Sequence, residues 1–189
     1  MPASNRALRE ALDIEVLDQN HAAAIAAIAA THPHAVVFRH PHDHDGALCL
    51  PYALGLSNWH TLHMVVLEGN RNAAWGEWRR RLIGAPFANW LLDKDAKRLR
   101  PRRVPKPGML IMYFTGKDWK HAGRVVDGDV VISKWGTFPV YEHPTWQVPW
   151  RYGLRRQYFD MPSRDEAIRL FEEHNAELEG RALGRPPLW

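Results

Sequence analysis

One cysteine and one of the eleven histidines stand in contexts that suit nucleophilic chemistry. Cys49 is followed by Leu-Pro-Tyr-Ala-Leu-Gly, and proline is tolerated in a helix mainly within its first turn. Pro51 therefore predicts a helix that begins at about Cys49 or Leu50. Unpaired backbone N–H groups at a helix start favour the thiolate, which is the nucleophilic form of cysteine. The competing interpretation is a small buried hydrophobic residue between leucines.

A thiolate nucleophile needs a base nearby, and His121 is the candidate with the most suggestive neighbours. It begins the segment HAGRVV, shortly after a predicted strand that follows Pro107 and Gly108. Ala122 and Gly123 leave the strand uncrowded, so a helix or a substrate can approach it closely. The alternative is a half-exposed strand histidine without a role. As a pair, the thiol and imidazole would perform acyl transfer on an amide or ester carbonyl.

The helices that would surround this pair are read from apolar residues at helical spacing. They are predicted as two short helices between residues 5 and 30, one or two between 70 and 92, and a last helix from Ser163 to about Leu178. Ser163 and Glu166 form a capping-box pattern at the start of the last helix.

The strands are read from alternating and valine-rich segments. They are predicted at 35–38, at 109–114, as a hairpin over 121–136, and at about 152–159. Asp127-Gly128 suits the tight turn of the hairpin, whereas the basic, proline-rich segment 95–108 is predicted to be irregular. Helices, then a strand meander, then a helix indicate an α+β fold with N-terminal helices packed on an antiparallel sheet and a C-terminal helix.

The order of these motifs resembles the NlpC/P60 branch of the papain-like cysteine hydrolases. A cysteine at a helix start is followed by the strand PGMLIMYF and by HAGRV entering a hairpin, and the resemblance covers about residues 48–159. It implies a single domain over 1–189, with helices and a histidine-rich loop at 1–45, a papain-like core at 46–160, and a helix and tail at 161–189.

The resemblance also implies roles for individual residues. Cys49 is the nucleophile and His121 the base, and the strand after the hairpin turn supplies a polar residue that orients the imidazole. That residue is Ser133, and the alternative orienters are Lys134, Glu142 and His143. The oxyanion would be held by the Cys49 backbone N–H with help from His44. The implied partner is a peptide or another acyl substrate, and no cofactor is implied.

Composition limits the remaining functional classes. One cysteine among 189 residues excludes an intramolecular disulfide, and no stretch approaches the roughly 18 apolar residues of a membrane helix. Acidic residues stand where a signal peptide would carry its apolar region, so a cytoplasmic location is expected. The oligomeric state is left open.

Three other hypotheses remain. His40, His42 and His44 alternate within a histidine-rich loop and would form a metal site if that segment were extended, although a solvated loop is the commoner reading. Seven basic residues against one acid between 94 and 106 suit phosphate binding, but nucleic acid is the less favoured partner. Serine at the third catalytic position is unusual for the family, which leaves open a degenerate member that only binds.

Overall fold

A seven-stranded antiparallel sheet forms the centre of the protein in the computed structural model, which describes residues 3–13, 18–32, 38–39, 48–58, 83–135 and 139–182. The strand order across the sheet is β1-β6-β5-β4-β3-β7-β2. The strands are β1 (Phe38–Arg39), β2 (Pro101–Arg102), β3 (Leu110–Thr115), β4 (Asp118–Asp127), β5 (Val130–Lys134), β6 (Val140–Pro144) and β7 (Arg155–Phe159).

Helices lie before, between and after these strands. They are α1 (Ala3–Ala11), α2 (Asp18–Thr31), α3 (Cys49–Ala53), α4 (Ala85–Leu91) and α5 (Arg164–Ala182), with a 3-10 turn at Trp150–Tyr152. None of the described helices combines the length and the apolar composition that crossing a bilayer requires.

Local signals explain several of these boundaries. Gly128 has φ +46° in the β4–β5 turn, a backbone conformation that glycine adopts without steric cost. The Glu166 backbone N–H donates to Ser163 Oγ at 3.2 Å, which caps the start of α5. Pro86 lies in the first turn of α4, where its missing N–H costs no hydrogen bond.

The sheet separates two hydrophobic clusters, one on each face. On the face that we call the α3 face, leucines and alanines of α3 pack with α4 and α5 against Met112, Phe114 and Ala122. On the opposite face, called the α1 face, α1 and α2 pack against Tyr113, Trp135 and other residues of the neighbouring strands. Because side chains alternate along a strand, successive residues of β4 point toward different helical layers.

The predicted α+β class, the antiparallel sheet and the C-terminal helix are confirmed. So are the strand near 109–114 and the hairpin. Two strands were not predicted. β2 is a two-residue pairing inside the segment expected to be irregular, and β6 lies in VYEHP, which carries no alternating apolar pattern. Most of the strand expected at 35–38 and of the helices expected between 70 and 92 lies outside the described residues.

Candidate functional site

Cys49 occupies the first position of α3, as the proline two residues later predicted. Leu48 is the extended N-cap residue, and the Tyr52 N–H returns to the Leu48 carbonyl at 3.1 Å. The helix is short and is held against the sheet at its other end, where Arg124 Nη2 donates to the Ala53 carbonyl at 3.0 Å. α3 thus lies on the α3 face above β4 and β5, with Cys49 at one end.

The backbone of β4 directs one N–H group toward this cysteine. Val125 bonds toward the β3 side, since its N–H donates to the Met109 carbonyl at 2.9 Å and its carbonyl accepts from Gly108 at 2.8 Å. Alternate residues of an antiparallel strand bond to opposite neighbours. The N–H groups of Arg124 and Ala122 therefore point toward β5.

The ladder between β4 and β5 ends just before this point. The paired residues of β4 and β5 run from Asp127–Val130 to Arg124–Ile132, and the pairing does not reach Ala122. The sulfur of Cys49 instead faces the Ala122 N–H. The thiol therefore lies at the edge of β4, beside the peptide unit that joins His121 to Ala122.

The environment of the sulfur keeps it protonated. Burial raises the pKa of the Cys49 thiol to about 11, although the N–H groups of Ala122, Leu50 and Cys49 itself act in the opposite direction. The sequence suggested a thiolate favoured by the helix start. That expectation does not hold for the resting state, because α3 has only five residues and Cys49 is 8% exposed, so desolvation outweighs the N–H groups.

His121 is also buried, and its ring lies on the α1 face. It stacks on Tyr152 with ring centroids 4.0 Å apart and an angle of 11° between planes, and it lies 5.6 Å from the Tyr113 ring. Burial, and to a smaller extent the charge of His143, holds the pKa of His121 well below its ordinary value. The imidazole is therefore neutral at pH 7, and its Nε2 meets no hydrogen-bond partner within the described part of the chain.

Tyr152 is a shared neighbour of the thiol and the imidazole. Its ring covers His121, and its pKa is raised first by burial and then by the charge of Cys49. Arg9 of α1 secures the segment that carries it, because the buried guanidinium donates to the carbonyls of Val148 at 3.0 Å and of Gly153. Sequence reasoning missed Tyr152, since only the docking of α1 on the 3-10 turn brings it to the site.

Ser133 has two hydrogen-bond partners, Trp135 and His143. Its Oγ accepts from Trp135 Nε1 at 3.1 Å and lies 2.8 Å from His143 Nε2. His143 Nδ1 lies 2.9 Å from the Pro144 carbonyl, which only accepts, so Nδ1 carries the proton of the neutral ring. Nε2 is then an acceptor, and Ser133 donates its hydroxyl proton to it. One lone pair of Ser133 Oγ remains for an imidazole N–H.

Gly123 separates His121 from Ser133. A Cβ at Gly123 would lie 2.9 Å from Ser133 Cβ and 2.8 Å from Val131 Cγ1, closer than side chains approach each other. The strands can therefore meet here only because residue 123 has no side chain. The predicted role of Ser133 as direct orienter of His121 stays a prediction, and the observed partners of Ser133 are Trp135 and His143, the second of which is one of the alternative orienters.

The other predicted residues lie at different distances from this cluster. Lys134 is 2% exposed and follows Ser133, so it points to the α3 face. Glu142 is half-buried on β6 and pairs with Ile132, also toward the α3 face. The oxyanion candidate His44 and the metal candidates His40 and His42 lie outside the described residues. Within the described ranges, no three histidine, cysteine, aspartate or glutamate side chains are grouped to hold a metal ion.

Comparison with known protein families, with curated proteins and with solved structures found no match to this chain. What the structure itself defines is an α+β protein in which the Cys49 sulfur lies beside the Ala122 N–H, while the ring of the preceding residue, His121, stacks on Tyr152 on the α1 face. Within the described residues, His121 Nε2 forms no hydrogen bond to the Cys49 sulfur.

Proposed function

We propose that the protein is a cysteine-dependent acyl-transfer enzyme, a papain-like hydrolase or acyltransferase, with Cys49 as nucleophile and His121 as base. The observation that carries the proposal is the position of the sulfur at the Ala122 N–H, one peptide unit from the imidazole-bearing residue. Both groups are buried. A buried polar nitrogen without a partner is uncommon in folded proteins, and among the residues that the structure describes His121 Nε2 is one.

The protonation states define the kind of mechanism. The pKa of Cys49 is raised and that of His121 is lowered, so the resting pair is a neutral thiol and a neutral imidazole. Proton transfer must then accompany attack: the S–H proton moves to the imidazole as the S–C bond forms. The imidazolium returns that proton to the leaving amine or alcohol, and water or another acceptor resolves the thioester.

The surroundings of the pair suit this sequence of steps. Tyr152 covers one face of the imidazole and restricts its orientation. Ser133, with its proton committed to His143, can only accept from His121 and would stabilise the imidazolium. The backbone N–H of Cys49 would stabilise the developing oxyanion.

A small acyl donor tests the proposal, because the sulfur is nearly inaccessible. The protein is incubated with p-nitrophenyl acetate, and acetylation is located by peptide mass mapping. We expect a transient acetyl thioester on Cys49 that is absent in Cys49→Ala and formed at least about 100-fold more slowly in His121→Gln, a usual loss when a general base is removed.

His174→Gln is the matched control. His174 is buried like His121, at 3% exposed, but packs against Phe87 and Trp90 near α4. Its replacement should leave acetylation of Cys49 unchanged. Equal rates in wild type and His121→Gln would refute the assignment of the base, and no acetylation of Cys49 would refute the nucleophile.

A further inference from the structure

A basic groove lies on the side of the sheet formed by β3, β7 and β2. It is an open cavity of about 1060 Å³ bounded by the turn after α4, the β3–β4 turn and β7. Its apolar surface comes from the half-buried Leu92, which lies beside Leu91, Leu99 and Phe159, and these three are 7% exposed or less. It is distinct from the cysteine site, because none of its lining residues belongs to α3, β4 or β5.

Five cationic side chains and one acidic side chain line this groove. The basic residues are all exposed and come from three separate segments of the chain: Lys94, Lys97, Arg100, Lys117 and Arg155. The acidic residue is Asp93. Cations gathered from several segments around a concave surface concentrate a positive potential more strongly than the same charges on a convex surface.

The neighbouring acids are already paired with arginines that do not line the groove. Asp93 lies 3.8 Å from Arg98, which also contacts Glu177 at 3.2 Å. Asp160 receives two hydrogen bonds from Arg102, at 2.8 and 2.6 Å. These pairings leave the groove with a surplus of positive charge.

The shape and lining of the groove distinguish between acidic ligands. Single-stranded nucleic acids gain much of their affinity by stacking bases on exposed aromatic faces. The two aromatic residues here, Phe114 and Phe159, are 3% and 4% exposed, and the Arg155 guanidinium covers the Phe114 ring at 4.6 Å. A basic rim beside the half-buried Leu92 instead matches a peptide in which acidic and apolar residues alternate.

We propose that this groove binds an acidic, amphipathic peptide segment of a partner protein. Its carboxylates pair with the lysines and arginines of the rim, and its apolar side chains pack on Leu92 and on the hydrocarbon stems of those lysines and arginines. The proposal does not depend on catalysis at Cys49.

The test uses a fluorescein-labelled peptide of four Glu-Leu-Ser repeats and measures binding by anisotropy. We expect the dissociation constant to rise with salt, since exposed ion pairs are screened. The double variant Lys94→Glu/Lys117→Glu should bind about tenfold more weakly, because two ion pairs become repulsive contacts.

The matched control is Arg103→Glu/Lys106→Glu. These exposed residues belong to the same basic segment and change the net charge equally, but they do not line the groove. Its affinity should stay within about twofold of wild type. Equal weakening in both variants, no binding by the wild type, or tighter binding of oligouridine of the same length than of the peptide would overturn the proposal.

Discussion

Burial of His143 predicts a specific sensitivity of the fold to acid. Burial lowers the pKa of His143 from 6.5 to about 4, partly offset by the Pro144 carbonyl and the charge of Asp129. Its Nε2 accepts the Ser133 hydroxyl proton at 2.8 Å, so protonation of that nitrogen would remove an acceptor inside the α1 face. His143 therefore binds a proton more weakly in the folded protein than in the unfolded chain.

The size of the effect follows from the two pKa values. Because the folded-state pKa lies below the unfolded one, this contribution to stability is complete above pH 6.5 and is lost as pH falls toward 4. The full difference corresponds to about 3.4 kcal/mol, of which about 2 kcal/mol is lost between pH 8 and pH 5.

Urea denaturation of wild type and His143→Gln at pH 8, 7, 6 and 5 isolates the contribution of His143 to the free energy of unfolding. Glutamine retains a donor and an acceptor but does not titrate, so all other groups cancel when the two pH profiles are subtracted. The wild type should lose about 2 kcal/mol more than the variant between pH 8 and 5, which is about 1 M in the urea midpoint. Parallel profiles would show that His143 is not buried in neutral form.

Two further predictions concern Cys49 and the close approach of β4 and β5 at Gly123. Iodoacetamide should alkylate Cys49 at pH 7.5 about 100-fold more slowly than in the urea-unfolded chain, since a pKa of about 11 rather than 9.0 leaves about 100-fold less thiolate. Gly123→Ala should lower the free energy of unfolding by about 2–3 kcal/mol, because its Cβ would lie 2.9 Å from the Ile132 backbone oxygen.

Each of these has a direct control. The protein has one cysteine, so alkylation is read from the intact mass, and equal rates in folded and unfolded chains would contradict the burial of the thiol. For Gly123, the comparison is Gly180→Ala in α5, where a Cβ meets nothing within 4 Å and helix propensity predicts a gain of up to about 1 kcal/mol. A Gly123→Ala protein as stable as the wild type would mean that β4 and β5 separate more easily than described.

The parts of the fold that were predicted depend on short-range signals. Pro51 fixed the start of α3, Asp127-Gly128 the hairpin, and Ser163 the cap of α5, and each acts on backbone within a few residues. The Cys49 sulfur lies beside the Ala122 N–H and the His121 ring lies on the α1 face, and their pairing and catalytic roles stay predictions.

The features that the sequence did not predict depend on tertiary contacts. The raised pKa of Cys49 arises from burial under elements distant in the chain. Tyr152 reaches His121 only because α1 docks on the 3-10 turn, and the bond between Ser133 and His143 requires β6, whose sequence carries no alternation. Two-residue strands such as β2 are stabilised by their neighbours and carry no pattern of their own.

The guanidinium of Arg9 has a consequence for how the chain is made. Its carbonyl partners Val148 and Gly153 follow it by 139 and 144 residues. During synthesis, α1 leaves the ribosome long before those carbonyls exist, and the two segments can join only after Gly153 has been translated. The stacking of Tyr152 on His121 is therefore completed only after Gly153 has been translated, so a product that ends before this residue would carry Cys49 without an assembled site.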